Sequence, residues 1–183
     1  MTQSTERLGD VLRDGDRIGV RYERHMAHPP TKVWRALTES EHLRHWFPAD
    51  IIGERRAGAD IRLRFWPESV KQADTQLEQV GVDTEDPVLP GRILTWDPPR
   101  IFEFLWDTEH LRFELIPVET GTRLICTVLL GEPGPHGPEG TAAGYHICLD
   151  ALRDLLDTGS TDIPDTDTIA ELERRYTEPM RSH

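Results

Sequence analysis

The feature that most constrains the fold is a series of alternating apolar residues between positions 101 and 130. Three runs, IFEFLW, LRFELIP and TRLICTVLL, place large apolar side chains at every second position. A period of two is typical of a half-buried β-strand. The turns between these runs are too short for crossover connections, so neighbouring strands must be antiparallel. The sequence therefore predicts an antiparallel sheet with one apolar face and one wet face.

The chain before this series predicts a first strand and two short helices. Residues 16–25 have the alternation of a half-buried strand. Pro29 and Pro30 suit the first turn of a helix, because proline has no amide hydrogen to leave unpaired there. Thr38 and Glu41 have the spacing of a capping box, which predicts a second helix directly after the first. Two further strands, ADIIGE and DIRLRFW, are expected next.

Residues 67–90 interrupt the pattern of strands. The segment is acidic, has proline at both ends, and shows neither a clear strand nor a strong helix. We interpret it as an excursion from the sheet. The segment 131–140, GEPGPHGPEG, is rich in glycine and proline and predicts a mobile connecting loop.

The strongest helical pattern follows this loop, in TAAGYHICLDALRDLLDT. Its apolar stripe predicts one helix over residues 142–158, packed across the concave face of the sheet and ended by Gly159. The predicted fold class is α+β: a curved antiparallel sheet wrapped around a long C-terminal helix, with two short helices after the first strand. We expect an N-terminal tail at 1–15, one domain at 16–158 and a C-terminal extension at 159–183.

Charge and composition restrict the possible partners. The chain has 21 Lys and Arg against 33 Asp and Glu, a formal net charge of −12. This is the wrong sign for a nucleic-acid binder and for an anionic membrane surface. The first residues do not resemble a signal peptide, and no apolar run is long enough for a membrane helix. We therefore expect a soluble, cytoplasmic protein whose two cysteines, Cys126 and Cys148, are buried and reduced.

Four segments together resemble a known family: HPPTKVWRALTESEHLRHWFP, DPPRIFEFLW, LRFELIPVETGTRLICTV and GYHICLDALRDLL. Their order and spacing resemble the bacterial branch of the START-like (SRPBCC) superfamily that is named after the ATPase activator of a heat-shock chaperone. The resemblance covers residues 16–158. It implies a helix-grip fold with a cavity between sheet and helix that holds an apolar small molecule, and it implies no particular reaction. The chain departs from the family at Tyr145, where Trp is usual, and in its longer acidic excursion.

The predicted ligand-binding residues are large apolar side chains expected to face this space. Apolar walls with few polar groups are typical of ligand pockets. Filling a solid core is the alternative role for the same side chains. The residues are Trp46, Phe65, Phe104, Trp106, Phe113, Tyr145 and Leu149.

Metal and phosphate sites have weak support in the sequence. His42 and His45 have the spacing of a two-histidine metal face, but no third ligand with a recognisable spacing accompanies them. His25 and His28 repeat the spacing across a strand end. The glycine-rich loop lacks the sequence of a phosphate-binding loop. We therefore predict neither a metal nor a cofactor.

Catalysis also finds little support, because no nucleophile motif is present and the carboxylates appear spread over wet faces. His146, beside the apolar stripe of the long helix, is the best single candidate for a catalytic acid. Three functions stay open: binding of an apolar molecule such as a lipid or polyketide-like ring system, an aromatase or cyclase-like enzyme, and a protein-interaction or co-chaperone-like module.

Overall fold

The protein folds around one antiparallel sheet of eight strands in the order β1-β2-β8-β7-β6-β5-β4-β3. The computed structural model describes residues 7–71, 83, 85–132, 134 and 136–182. The strands are β1 Asp10–Asp14, β2 Arg17–Met26, β3 Ala49–Ile52, β4 Asp60–Phe65, β5 Val88–Asp97, β6 Ile101–Trp106, β7 Glu109–Val118 and β8 Gly121–Leu129. The four helices with defined bounds are α1 Pro30–Thr38, α2 Ser40–Trp46, α3 Gly137–Thr158 and α4 Thr166–Arg181.

The predicted α+β fold class is confirmed: the sheet curves around the long helix α3. The helix-covered side of the sheet is called the inner face below. Alternate residues of β6, β7 and β8 are buried on this face, as their period of two predicts. Phe102 lies opposite Phe113, and Phe113 lies opposite Cys126, so one apolar row crosses three strands.

The outer face carries the charged residues that the alternation places there. Glu103 accepts hydrogen bonds from Thr95 and Arg112 at 2.6 and 2.9 Å, and His110 lies 2.8 Å from its other oxygen. Partial burial disfavours the Glu103 carboxylate, but these hydrogen bonds and the Arg112 charge outweigh it and lower its pKa. The network therefore stabilises the sheet from its wet side.

The two short helices form where proline and apolar spacing predict them. Pro29 is the N-cap of α1, with Pro30 at its first position. The predicted capping box is wrong: the Thr38 hydroxyl donates to the Trp34 carbonyl at 2.8 Å instead of to an amide of α2. The first turn of α2 thus has no side-chain cap.

Helix α3 confirms the predicted stripe, since Tyr145, Leu149, Leu152 and Leu156 are all buried. It begins at Gly137, inside the segment predicted as loop, because Pro138 suits the first turn. Gly159 ends it with φ of 78°, a left-handed conformation in which glycine avoids the clash of a side chain.

Two elements lie outside the region where the sequence predicted structure. Strand β1 pairs with β2 as a hairpin, within the segment expected to be an N-terminal tail. Helix α4 packs on α3 through three buried side chains, Leu172, Tyr176 and Met180. Its N-cap Asp165 accepts from the Thr168 amide at 2.8 Å.

The acidic excursion is only partly described. Residues 67–71 form a helical turn, and β5 begins at Val88, two residues before the predicted excursion ends. Residues 72–82 and 84, which make up most of it, lie outside the described residues. In the described part of the chain, no helix is long and apolar enough to cross a membrane.

The cysteines are free thiols in different surroundings. Cys126 is buried on the inner face, as predicted, and burial raises the pKa of its thiol. Cys148 is partly exposed as a residue, so the prediction that both are buried is wrong for Cys148. Desolvation of the Cys148 sulfur nevertheless raises its pKa to about 12.

Candidate functional site

The structure places the predicted ligand-binding residues on β4, β6, β7, α2 and α3, around the interior between sheet and helix. Six are buried, with side chains between 1 and 8% exposed: Trp46, Phe104, Trp106, Phe113, Tyr145 and Leu149. Phe65, the seventh, is half-buried at the end of β4. Strand alternation positions those on the sheet, and the helical stripe positions those on α3.

Five of these aromatic rings form part of a contact chain. Trp46 lies edge-on to Phe113 with ring centroids 6.4 Å apart, and Phe113 lies 6.5 Å from Phe104. Phe65 contacts Trp106 at 5.6 Å. Phe47 joins the two groups, at 5.2 Å from both Trp46 and Trp106. The structure therefore packs these side chains against one another, in a cluster that includes Phe47, which is not among the predicted site residues.

Two open grooves lie away from this cluster, and neither is lined by a predicted ligand-binding residue. A groove of about 300 Å³ lies on the outer face beside Leu12, His110, Arg112 and Leu129. A larger one, about 780 Å³, lies between α1, α2 and the end of α3.

Glu109 is a functional candidate that the sequence analysis missed. Glu109 is the first residue of β7. It continues the alternation of Leu111, Phe113 and Leu115, and it therefore lies on the inner face. The expectation that carboxylates lie on wet faces is wrong here. The run LRFELIP predicts the strand only from Leu111, whereas β7 begins two residues earlier, at Glu109.

Glu109 and Tyr145 form a polar pair between the sheet and helix α3. The Tyr145 hydroxyl donates to Glu109 Oε2 in a short hydrogen bond. Burial raises the pKa of Glu109, and the Tyr145 hydrogen bond and the Arg17 charge offset this only in part. Burial and the neighbouring Glu109 also raise the pKa of Tyr145 well above its usual value, so the phenol keeps its proton and acts as a donor.

Trp106 lies beside this pair and carries an unpaired polar group. Its indole Nε1 is buried and has no hydrogen-bond partner among the described residues. Trp106 and Glu109 are directly opposed in the β6–β7 register, so their side chains leave the same face about 5 Å apart. The inner face thus has a donor, a carboxylate and a phenol at one end of an apolar cluster.

Arg17 supplies the positive charge that acts on Glu109, and one nitrogen of its guanidinium group is hydrogen-bonded to backbone carbonyls. Its Nη2 donates to the backbone carbonyls of Thr108, Leu129 and Leu130 at 2.6, 3.2 and 3.3 Å. Arg17 therefore influences Glu109 through its charge while its hydrogen bonds hold the β2, β7 and β8 ends together.

His146 occupies a different part of the molecule from the aromatic cluster. Its Nδ1 lies 2.9 Å from the Tyr176 hydroxyl, and its Nε2 lies 3.4 Å from an Asp150 oxygen. Tyr176 also accepts from the Gly9 amide at 2.9 Å. Because both ring nitrogens face protein groups, His146 joins α3, α4 and the N-terminal segment, which is a structural role.

The structure places one of the histidines considered as metal ligands, His42, beside two carboxylates, Glu39 and Glu41. His45 is not part of this cluster. Arg35 donates two hydrogen bonds to Glu39, at 2.9 and 3.1 Å, and thereby neutralises it. His25 is paired with the Thr120 hydroxyl and His28 with Asp157.

Comparison with known proteins identifies relatives of this fold. The model of one family, described as Activator of Hsp90 ATPase homolog 1-like protein, matches residues 27–157. No curated protein matches the chain. The structure of EF2215 from Enterococcus faecalis, described as a conserved protein of unknown function, is 21% identical, with a TM-score of 0.73 over 95% of this chain and 91% of that one.

Two further solved structures share the architecture. The BPP1335 protein from Bordetella parapertussis is 23% identical, with a TM-score of 0.66 over 96% of this chain and 94% of its own. CalU16 from Micromonospora echinospora is 18% identical, with a TM-score of 0.59 over 90% and 88%. At these identities the likeness extends to the fold alone.

Proposed function

The chain belongs to the family of Activator of Hsp90 ATPase homolog 1-like proteins, within the START-like superfamily, and from this premise we propose that it binds an apolar small molecule between the inner face of the sheet and α3. The apolar walls would be the seven predicted residues together with Phe47. Glu109 and Tyr145 add a polar end to these walls. This combination of apolar lining with few polar groups is typical of small-molecule sites.

The observation that carries the proposal is the buried indole Nε1 of Trp106. An interior N–H group without a partner costs about 1–3 kcal/mol, and such groups are rare in native proteins. A purely apolar side chain in the same place would carry no such hydrogen-bonding cost. A ligand that accepts a hydrogen bond from Trp106 would explain why an indole occupies this position.

Binding would be driven by burial of apolar surface, at about 25 cal/mol per Å² removed from water. The rings of the cluster contact one another, so a ligand must displace some of them, and this reorganisation reduces affinity. Phe65 is the half-buried member, and its ring lies against Trp106. Displacement of Phe65 would therefore expose the Trp106 ring to a ligand.

A titration with the neutral solvatochromic dye Nile red tests this proposal. We expect one saturable site whose affinity hardly changes with salt, because no ion pair would form. Phe113→Asp should abolish binding, since it introduces an unpaired carboxylate on the inner face. Thr127→Asp is the matched control, because Thr127 lies on the outer face beside Arg112.

The two variants separate the proposed site from general surface binding. Circular dichroism would first establish that both are folded. Loss of dye binding in Phe113→Asp and retention in Thr127→Asp would support the interior site. Equal dye binding by both folded variants would contradict it.

An aromatase or cyclase-like enzyme on the same fold is the second candidate, and the inward Glu109 favours it. A partly buried carboxylate on the inner face, with its pKa raised by desolvation, is suited to act as a general base. It would take an α-proton from a ketone, leaving an enolate, and return a proton to the same carbon. Exchange of the α-protons of 2-tetralone in D₂O, followed by NMR, tests this reaction. Exchange by the wild-type protein that is lost in Glu109→Gln would support it, and equal rates with and without protein would exclude it for this probe.

The interaction-module hypothesis has less support in the described part of the chain. Its exposed large apolar side chains, Leu94, Val118 and Ile163, lie on β5, at the end of β7 and between α3 and α4. Scattered apolar residues of this kind are normal on a protein surface, whereas a docking site needs a contiguous patch.

A further inference from the structure

Trp106, Glu109 and Tyr145 bring polar atoms with defined hydrogen-bonding chemistry to one end of the inner face. Trp106 Nε1 can only donate, so its missing partner is an acceptor. Glu109 Oε2 accepts from Tyr145, whereas Oε1 has no hydrogen-bond partner among the described residues. One end of the inner face therefore offers one free donor and one free carboxylate oxygen.

We propose that this end of the site selects neutral apolar ligands that carry a hydroxyl group. A hydroxyl oxygen would accept from Trp106 Nε1 while its hydrogen is donated to Glu109 Oε1. This inference rests on the proposed binding of an apolar molecule and specifies its chemical class. Tyr145 acts as a positioning residue, because its hydrogen bond from α3 fixes the orientation of the Glu109 carboxyl group on β7.

The same geometry disfavours ligands with a carboxylate. A second negative charge beside Glu109 would be repelled, and desolvation would add to the cost. Arg17 would offset this repulsion only in part, because its charge already acts on Glu109 and its Nη2 donates to three backbone carbonyls. A ligand without any polar group would leave Trp106 Nε1 unpaired. The hydroxyl is thus preferred over both of these alternatives.

Three probes with the same ring system test this selectivity: naphthalene, 2-naphthol and 2-naphthoate, compared by calorimetry or dye displacement at neutral pH. We expect 2-naphthol to bind roughly tenfold more tightly than naphthalene, the effect of about one hydrogen bond. We expect 2-naphthoate to bind most weakly. Trp106→Phe should reduce the ratio between 2-naphthol and naphthalene to near one. Glu109→Gln, which keeps an acceptor oxygen but no charge, should improve 2-naphthoate relative to 2-naphthol.

The indole resonance of Trp106 in the wild-type ¹H–¹⁵N spectrum gives a readout that does not depend on the folding of variants. A new hydrogen bond to Nε1 should move this resonance downfield with 2-naphthol, and naphthalene should not produce that shift. Equal affinities for naphthalene and 2-naphthol with no downfield shift would overturn the inference and leave apolar binding intact. Failure of all three probes to bind would instead contradict the proposed function.

Discussion

Two sets of polar groups in or beside the interior of this protein differ in their hydrogen-bond partners. Tyr176, His146 and Gly9 form a closed set of hydrogen bonds within the protein. Trp106, Glu109 and Tyr145 form an open set, in which an N–H group and a carboxylate oxygen have no partner among the described residues. Closed sets stabilise a fold, whereas open ones are typical of sites that bind something.

The closed set predicts a difference between two tyrosine variants. Tyr176→Phe should cost about 1–3 kcal/mol, because it leaves the Gly9 amide without its acceptor. Tyr22→Phe is the comparison variant: it removes the hydroxyl that donates to the Ala142 carbonyl and interacts with the Tyr176 hydroxyl, but it leaves the Gly9 amide its acceptor, and it should cost about 1 kcal/mol. Urea unfolding measures both free energies. A smaller loss for Tyr176→Phe than for Tyr22→Phe would contradict the assigned role of Tyr176.

The open set predicts a pH effect with a defined sign. Since burial raises the pKa of Glu109, the folded protein holds this proton more strongly than the unfolded chain does. The contribution of Glu109 to stability is therefore present at low pH and is lost as pH rises above its ordinary value of 4.5. Tyr145, Arg17 and Asp107 are the polar groups that act on it.

Unfolding of the wild-type protein and of Glu109→Gln between about pH 4 and pH 8 measures this effect. The variant should gain stability relative to wild type as pH rises, because it has no carboxyl group to ionise at this position. A difference between the two proteins that stays constant across this range would indicate that Glu109 titrates normally.

At the scale of elements, helix α4 packs on α3 through one apolar stripe. Leu172, Tyr176 and Met180 are spaced four residues apart and are buried in an otherwise polar helix. They pack on α3 and thereby cover the side of that helix that carries His146.

Leu172→Ala is expected to destabilise the protein by about 2–5 kcal/mol, the cost of removing a buried leucine side chain. Ile163→Ala is a control of similar chemistry, because Ile163 is 72% exposed in the segment before α4. It should change the unfolding free energy by less than about 0.5 kcal/mol. Similar effects of the two substitutions in denaturant unfolding would show that α4 is not docked in solution.

The elements that the sequence predicted are those with a strong apolar period. Strands β6 to β8 and helix α3 have large apolar residues at nearly every expected position. Helix α4 has only a few, spread over four turns, and β1 is short and mostly polar. Both are stabilised by contacts with distant segments, such as the Gly9–Tyr176 hydrogen bond, which a local pattern does not contain.

The candidate site was predicted only in its apolar part. Alternation was enough to place Phe104, Trp106 and Phe113 on the inner face. Their mutual contacts and the bridging position of Phe47 depend on how α2 packs, which no periodicity specifies. The inward position of Glu109 was predictable in principle, because Glu109 follows the alternation of β7. Its hydrogen bond with Tyr145 was not, because Tyr145 lies 36 residues away in the sequence.

At the scale of the whole molecule, the sheet is one continuous structure in which β8 lies between β2 and β7. Cys126 is in the middle of β8 and is buried, so a reagent can reach it only when the sheet opens. Cys148 is on α3 and is partly exposed.

Thiol labelling of the native protein should therefore be slow at Cys126, with a rate that follows global unfolding, and faster at Cys148. The raised pKa of both thiols slows the reaction further, because the thiolate is the reactive form. Mass spectrometry of timed samples distinguishes the two sites, and protein in urea gives the unprotected rate. Native labelling of Cys126 as fast as in urea would contradict the burial of β8.

The position of a bound ligand tests the central claim most directly. Intermolecular nuclear Overhauser effects between 2-naphthol and protons of the isotope-labelled protein would locate the probe. Binding between sheet and α3 predicts contacts to Leu149, Phe104 and Trp106. Contacts to Lys32, Leu155 and other residues of the open groove beside α1 and α2, with none to the inner face, would contradict it.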